Sequence, residues 1–224
     1  MVKIKAVLFD LDNTLIDFMR MKTESSNAAI SAMIDAGLPV EEKKAKKILF
    51  GLFKEFGIED QKIFQKFLEK TMNKIDYRVL SNGIAAYRRV QSGFLFPYPH
   101  VRSTLVKLKE KNLVLGIVSD APRMRAWLRL AEMNMTHYFD FVVTLDDTGK
   151  LKPSKLPFEK ALAELKLEPE QILFVGDNPE RDILGAKKAG MKTCLALYGQ
   201  QVFSKKVKAD FEIKDVKELL EILQ

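Results

Sequence analysis

Apolar residues fall along this chain in two rhythms, and the change between them divides it. Residues 2–9, Val-Lys-Ile-Lys-Ala-Val-Leu-Phe, form a short β-rich run that stops on Asp10-Leu11-Asp12-Asn13-Thr14. An apolar run closed by polar residues predicts a strand and a turn. From about residue 19 to 96 the rhythm is helical. Ser25-Ser26-Asn27 opens a stretch with Ala28, Ala29, Ala32 and Met33 that closes at Gly37 and Pro39. Ala45, Ile48, Leu49, Leu52, Phe53 and Phe56 recur at i, i+3, i+4, i+7, i+8 and i+11, which predicts an amphipathic helix ended by Gly57. Ile63, Phe64, Phe67, Leu68 and Met72 continue the pattern. Residues 75–90 predict a weaker helix with a break at Asn82-Gly83. The aromatic residues here are expected to pack the core of a small helical bundle.

Phe96-Pro97-Tyr98-Pro99 marks the return, because two prolines in four residues prevent a helix and stiffen the crossing. Helices and strands then alternate. Residues 101–111 predict a helix and 113–118 a strand ending at Ser119-Asp120. Residues 122–133 predict a helix and 139–145 a strand. Within 154–165 a helix is expected to begin beyond Pro157. Residues 172–175 predict a strand ending in Gly176-Asp177, 179–189 a helix closed by Gly190, and 192–197 and 211–213 further strands. Residues 216–223 predict a last helix. Strand–helix alternation predicts a mostly parallel sheet with helices on both faces, in which ligands bind beyond the carboxyl ends of the strands.

Composition narrows the class. The 224 residues are 47% hydrophobic, enough for one full core and a second small lobe, and the interspersed charges suit a soluble globular protein. The single cysteine, Cys194, stands in an apolar context, so a disulfide framework is excluded and a reducing, cytoplasmic setting fits. The first nine residues are too short an apolar run for a signal peptide, and no stretch approaches a membrane span. Net charge is +7. Its pairs Lys43-Lys44, Lys46-Lys47, Arg88-Arg89 and Lys205-Lys206 lie far apart and mixed with Glu, so solvated helix faces account for them better than a nucleic-acid footprint.

Candidate chemistry collects at strand ends: Asp10 and Asp12, Ser119, and Asp177. Strand alternation would put Asp10 and Asp12 on one face. Carboxylates offer hard oxygen ligands that suit Mg²⁺, whereas two histidines and one cysteine make a zinc site improbable. Lys152 brings a positive charge, and Ser119 a hydroxyl just before a helix N-terminus, where an anion is stabilised. A cation, a lysine, a hydroxyl and backbone amides together describe a phosphoryl site, with Asp10 as a candidate nucleophile.

These four stretches resemble the signature motifs of the haloacid dehalogenase (HAD) superfamily of hydrolases. Asp10-Leu11-Asp12-Asn13-Thr14 is similar to its D-x-D-x-T, Ser119 to its second-motif hydroxyl, Lys152 to its motif lysine, and Gly176-Asp177-Asn178-Pro179-Glu180-Arg181-Asp182 to its terminal acidic motif. Two departures are Asn13, where glycine is common, and Asp120, where asparagine is frequent; Lys155 is the runner-up for the motif lysine. The resemblance implies a Rossmann-like three-layer α/β/α core from residues 1–17 and 97–224, with a helical cap of the C1 type at 18–96 hinged near Asp17 and Pro97. It implies a nucleophile in Asp10, an acid/base in Asp12, a phosphate contact in Ser119, and Mg²⁺ ligands in Asp10, the Asp12 carbonyl and Asp177. Lys152 would steady Asp10 and the phosphoryl group. Thr14 would shape the turn and Asp182 would orient a metal-bound water or Lys152. Asp17, Phe18, Arg20 and Asp120 are the candidate substrate contacts. The implied activity is hydrolysis of a small phosphorylated metabolite through an aspartyl phosphate, because dehalogenases of the family lack the second aspartate. Archaeal-type members described as glyceraldehyde-3-phosphate phosphatases are similar. A phosphomutase on the same residues, and a non-catalytic nucleic-acid-binding or regulatory protein, are the alternatives; the oligomeric state is not legible.

Overall fold

Among the described residues, six parallel strands form one sheet in the order β3-β2-β1-β4-β5-β6: β1 Ala6–Phe9, β2 Val114–Val118, β3 Phe141–Val143, β4 Ile172–Gly176, β5 Lys192–Ala196 and β6 Phe211–Ile213. This computed structural model describes residues 3–204 and 206–223, so Val2 of the first predicted strand and Lys205 of the last basic pair lie outside the described residues. β1 is central, with Leu8 level with Gly116 on one side and Phe174 on the other. All four of its residues are buried, as expected of a parallel strand covered on both faces. The order reverses at β1, and in sheets of this kind ligands bind beyond the carboxyl ends of the strands at such a switch point. Ala6 and Leu8 pack with Phe158, Phe174, Ala161 and Ala186. The Phe158 and Phe174 rings meet edge to face at 5.1 Å, and burying side chains of this size stabilises by about 2–3 kcal/mol each.

The chain divides into two compact units, Met1–Asp17 with Phe96–Gln224, and Phe18–Leu95. The second unit holds α1 (Phe18–Asp35), α2 (Glu42–Phe56), α3 (Ile63–Met72) and α4 (Tyr77–Phe94), packed around Ile30, Met33, Leu49, Phe53 and Phe67. In the first unit lie α5 (Val101–Glu110), α6 (Arg123–Glu132), α7 (Leu145–Thr148), α8 (Lys155–Leu165), α9 (Leu184–Lys188) and α10 (Leu219–Ile222). Among the described residues no helix is long and apolar enough to cross a membrane. Cys194 is buried and free, and burial pushes its thiol up to about 12, so it is an inert packing group.

Several elements differ from their sequence patterns. α1 begins at Phe18, seven residues before the expected Ser25. Ser25 donates its hydroxyl to the Met21 carbonyl at 2.7 Å one turn back, so it sits inside the helix instead of capping it. α4 runs unbroken through Asn82-Gly83. Gly83 faces Met33 so closely that a Cβ would overlap its methyl group, and the glycine marks a helix contact. α8 begins at Lys155 behind the cap Ser154; Pro157 falls in the first turn, where its missing N–H has no intrahelical acceptor to lose. β3 is shorter than expected because Thr144 and Asp147 form a capping box that starts α7 at Leu145. Residues 179–183 form a π-helical turn ahead of α9.

Candidate active site

β1 feeds the chain into the Asp10–Thr14 turn at the sheet's switch point. The turn needs a left-handed residue, and Asn13 supplies it at φ 60, a conformation its short side chain tolerates. Thr14 is fully buried, and its carbonyl accepts a hydrogen bond from the Tyr198 hydroxyl at 2.8 Å. Gly199 lies so near that a Cβ would overlap the Asn13 carbonyl oxygen. The turn that leaves β5 therefore clamps the backbone of the acidic loop.

The loop sends its two carboxylates in different directions. β1 ends at Phe9, so strand alternation does not extend through Asp12, and the expectation of a shared face is corrected. Asp10 turns to Lys152, whose Nζ lies 2.8 Å from Asp10 Oδ1, 2.8 Å from Asp182 Oδ1 and 2.9 Å from the Val118 carbonyl. Asp12 Oδ2 turns to Arg129 of α6, with Nη1 at 2.6 Å. Asp10, Asp177 and Asp182 are all buried, and one oxygen from each lies within 4.8 Å of the others. The Asp12 carboxylate is not one of this group. The third carboxylate is Asp182, whose Oδ2 also accepts the Asn178 backbone N–H at 3.0 Å.

Ser119 is buried at the end of β2, and its hydroxyl accepts the Ala121 N–H at 3.1 Å. Asp120 Oδ1 accepts the backbone N–H of Lys152 at 2.9 Å. Lys155, the other candidate lysine, is exposed on the first turn of α8, while Lys152 reaches the carboxylates. Asp17 is half-buried and hydrogen-bonded to Tyr98. Phe18 is buried at the start of α1, and the exposed Arg20 holds its guanidinium 5.5 Å over the Phe94 ring.

Two arginines escaped the sequence reading. Arg129 stands with Ala126 and Leu130 on the buried face of α6, a charge on an apolar stripe that helical spacing exposes. Arg181 lies inside the terminal acidic motif; its Nη2 is 2.9 Å from Asp10 Oδ2 and 3.5 Å from Asp177 Oδ1.

The electrostatics are those of crowded carboxylates. Burial, then the charges of Asp10 and Asp182, push Asp177 up to about 8. Burial also raises Asp10, against the pull of Lys152. Burial would depress Lys152, but Asp10 and Asp182 outweigh it and hold its ammonium above the ordinary value. Three converging hard-oxygen donors that resist joint ionisation fit a small divalent cation.

The sequence pattern of the haloacid dehalogenase-like hydrolases matches residues 7–196. The chain belongs to that family. It is 32% identical to a glyceraldehyde 3-phosphate phosphatase of Methanocaldococcus jannaschii over 99% of this chain and 97% of that one. It is 29% identical to the pyrophosphatase PpaX of Oceanobacillus iheyensis over 99% and 98%. Its fold is similar to that of a HAD phosphatase from Thermococcus onnurineus, with TM-score 0.72, 25% identity and 98% of each chain covered. A HAD α/β fold with Asp10 at the end of its first strand is thus the setting for the chemistry of this hydrolase.

Proposed function

We propose that this hydrolase is a Mg²⁺-dependent phosphatase that cleaves a small phosphorylated metabolite, glyceraldehyde 3-phosphate or a similar sugar phosphate, through an aspartyl phosphate on Asp10. The observation that carries the reading is the buried Asp10, clamped by Lys152 beside Asp177 and Asp182. The relatives named as glyceraldehyde 3-phosphate phosphatases support the substrate class.

In this reading Asp10 attacks phosphorus as the bond to the leaving oxygen breaks, and Asp12 gives that oxygen its proton. Asp12 then takes a proton from water, whose oxygen attacks the phosphoryl group and returns Asp10 as a carboxylate with inorganic phosphate. Asp12 Oδ2 is ion-paired with Arg129 at 2.6 Å, so the proton would travel on Oδ1 or the pair would open. Lys152 fixes the rotamer of Asp10 through Oδ1, and Ser119 offers its hydroxyl to the phosphoryl oxygens. Asp10, Asp177 and the Asp12 carbonyl would hold the cation, with Asp182 bracing Lys152. The cation would neutralise charge on the transferring phosphoryl group. Residues 18–96 would act as the specificity cap, and Asp17, Phe18, Arg20 and Asp120 are the candidate substrate contacts.

The test is phosphate release from glyceraldehyde 3-phosphate, other phosphorylated sugars, pyrophosphate and p-nitrophenyl phosphate, with Mg²⁺ and after chelation. Turnover of the sugar phosphates with Mg²⁺ alone is expected. No release from any substrate, or undiminished release after exhaustive chelation, overturns the reading. Isomerisation of a sugar phosphate without release would replace it with a mutase.

A further inference from the structure

Two cations serve the carboxylate group, and they are held very differently. The Lys152 side chain is 0% exposed and has three anchors within 2.9 Å, so it has nowhere to go. Arg181 enters from the rim with 31% of its side chain exposed. Its one short contact is Nη2 to Asp10 Oδ2 at 2.9 Å, and the others are long: 3.5 Å to Asp177 Oδ1, 3.5 Å to Asp182 Oδ2, and 3.4 Å from Nε to Asp120 Oδ2 and to Asp182 Oδ1. Nε lies near two carboxylates yet makes no hydrogen bond to either.

Asp10 Oδ1 is committed to Lys152, so Oδ2 is the oxygen left for a cation, and Arg181 already holds it. The same nitrogen contacts Asp177 and Asp182, the other two members of the group. A divalent ion drawn to these oxygens meets a like charge in its place. We propose that Arg181 is a tethered counter-ion that the divalent cation must displace, and that its guanidinium thereby sets the apparent metal affinity of the site. The inference rests on the reading above that the site takes such a cation.

Asp120 gives the displaced group somewhere to stay. Once a bound metal has drawn off their protons, the carboxylates Asp10, Asp120, Asp177 and Asp182 would face two cations, Lys152 and Arg181, a deficit of two positive charges. One divalent ion makes up that deficit only if Arg181 remains at the rim, where the carboxylate of Asp120 already lies beside Nε. A site occupied by its own arginine binds metal at an affinity reduced by the fraction of molecules in which the arginine has moved away.

Calorimetric titration of metal-stripped protein with Mg²⁺ and Mn²⁺, comparing wild type with Arg181→Gln and Arg181→Lys, tests this without recourse to activity. Arg181→Gln is expected to bind either ion about tenfold more tightly or better, since the competing charge is gone. Arg181→Lys should fall between it and wild type. The metal-free melting temperature of Arg181→Gln should drop, and the rise on adding metal should exceed that of wild type. Equal or weaker binding by a natively folded Arg181→Gln overturns the inference. Should that variant not fold without metal, wild-type crystals with Mn²⁺ decide: an anomalous peak between Asp10 and Asp177 with Nη2 withdrawn from Asp10 Oδ2 is expected, and the peak with that bond intact overturns it. Wild type that binds neither ion would instead remove the metal-dependent reading itself.

Discussion

Lys152 is where removing one atom group should cost most. Its ammonium is fully buried between Asp10 and Asp182, and taking away one partner of a buried ion pair leaves charge with no compensation. Lys152→Met should lower stability by about 3–5 kcal/mol, read as a shift in the urea midpoint, and should abolish phosphate release. A midpoint equal to wild type would mean that the carboxylates do not need the lysine. Asp10 and Asp12 have different partners despite being the same residue type, Lys152 and Arg181 for one and Arg129 for the other, and in the proposed reading they divide the chemistry. Asp10→Asn should bind ligand and never form a phosphoenzyme. Asp12→Asn should slow release of sugar alkoxides far more than of p-nitrophenolate, which needs little protonation, and with that activated substrate it should accumulate phosphoenzyme. Acid quench and mass spectrometry of the peptide carrying residues 10–12 check this; phosphate on Asp12 would reverse the assignment.

Among the elements, the strands that carry the candidate residues followed from local pattern, because a short apolar run closed by polar turn residues, such as Ala6–Phe9, suits a strand buried on both faces of a parallel sheet. Boundaries set by contacts between elements did not. Ser25 has the composition of a cap and Gly83 that of a break, yet each is an interior helix position explained by the Met21 carbonyl and by Met33. Gly199 is a further case, pressed on the Asn13 carbonyl by the turn after β5. Gly199→Ala should push the acidic loop out of place, costing about 1–3 kcal/mol and more than tenfold in kcat. Gly51→Ala is the control: it lies on the exposed side of α2 with open space around it, and should leave kcat unchanged while stabilising by about 0.5–1 kcal/mol. Equal effects of the two substitutions on kcat would disprove the clamp.

At the scale of the whole molecule, the sheet gathers acids that repel one another, which makes stability and metal binding depend on pH together. Asp177 is raised to about 8 from an ordinary 3.8, so the metal-free folded protein keeps a proton that the unfolded chain gives up. The stability linked to this group is complete below about pH 4, is lost as pH rises toward 8, and is level above it. A cation needs the ionised carboxylate, so Mg²⁺ affinity should rise from pH 6 to 8, by up to about tenfold per unit, and flatten beyond. Thermal melts and calorimetry across pH 6–9 check both slopes; a pH-independent affinity would take Asp177 out of the ligand set.

The sequence by itself determined the class of fold, the family, and that Asp10, Ser119 and Asp177 end three strands, since strand alternation, turn chemistry and motif spacing are properties of neighbouring residues. Only the tertiary structure decided which charges meet. Asp10 and Asp12 are two residues apart and part company, while Asp10 and Lys152, separated by 142 positions, lie 2.8 Å apart. Arg181 acquires its place among the carboxylates because β4 lies beside β1, and Arg129 meets Asp12 because α6 buries the face that carries it. Ion pairing acts through space over a few ångströms and is blind to separation along the chain, so local pattern marked the acids and the packed sheet chose their partners.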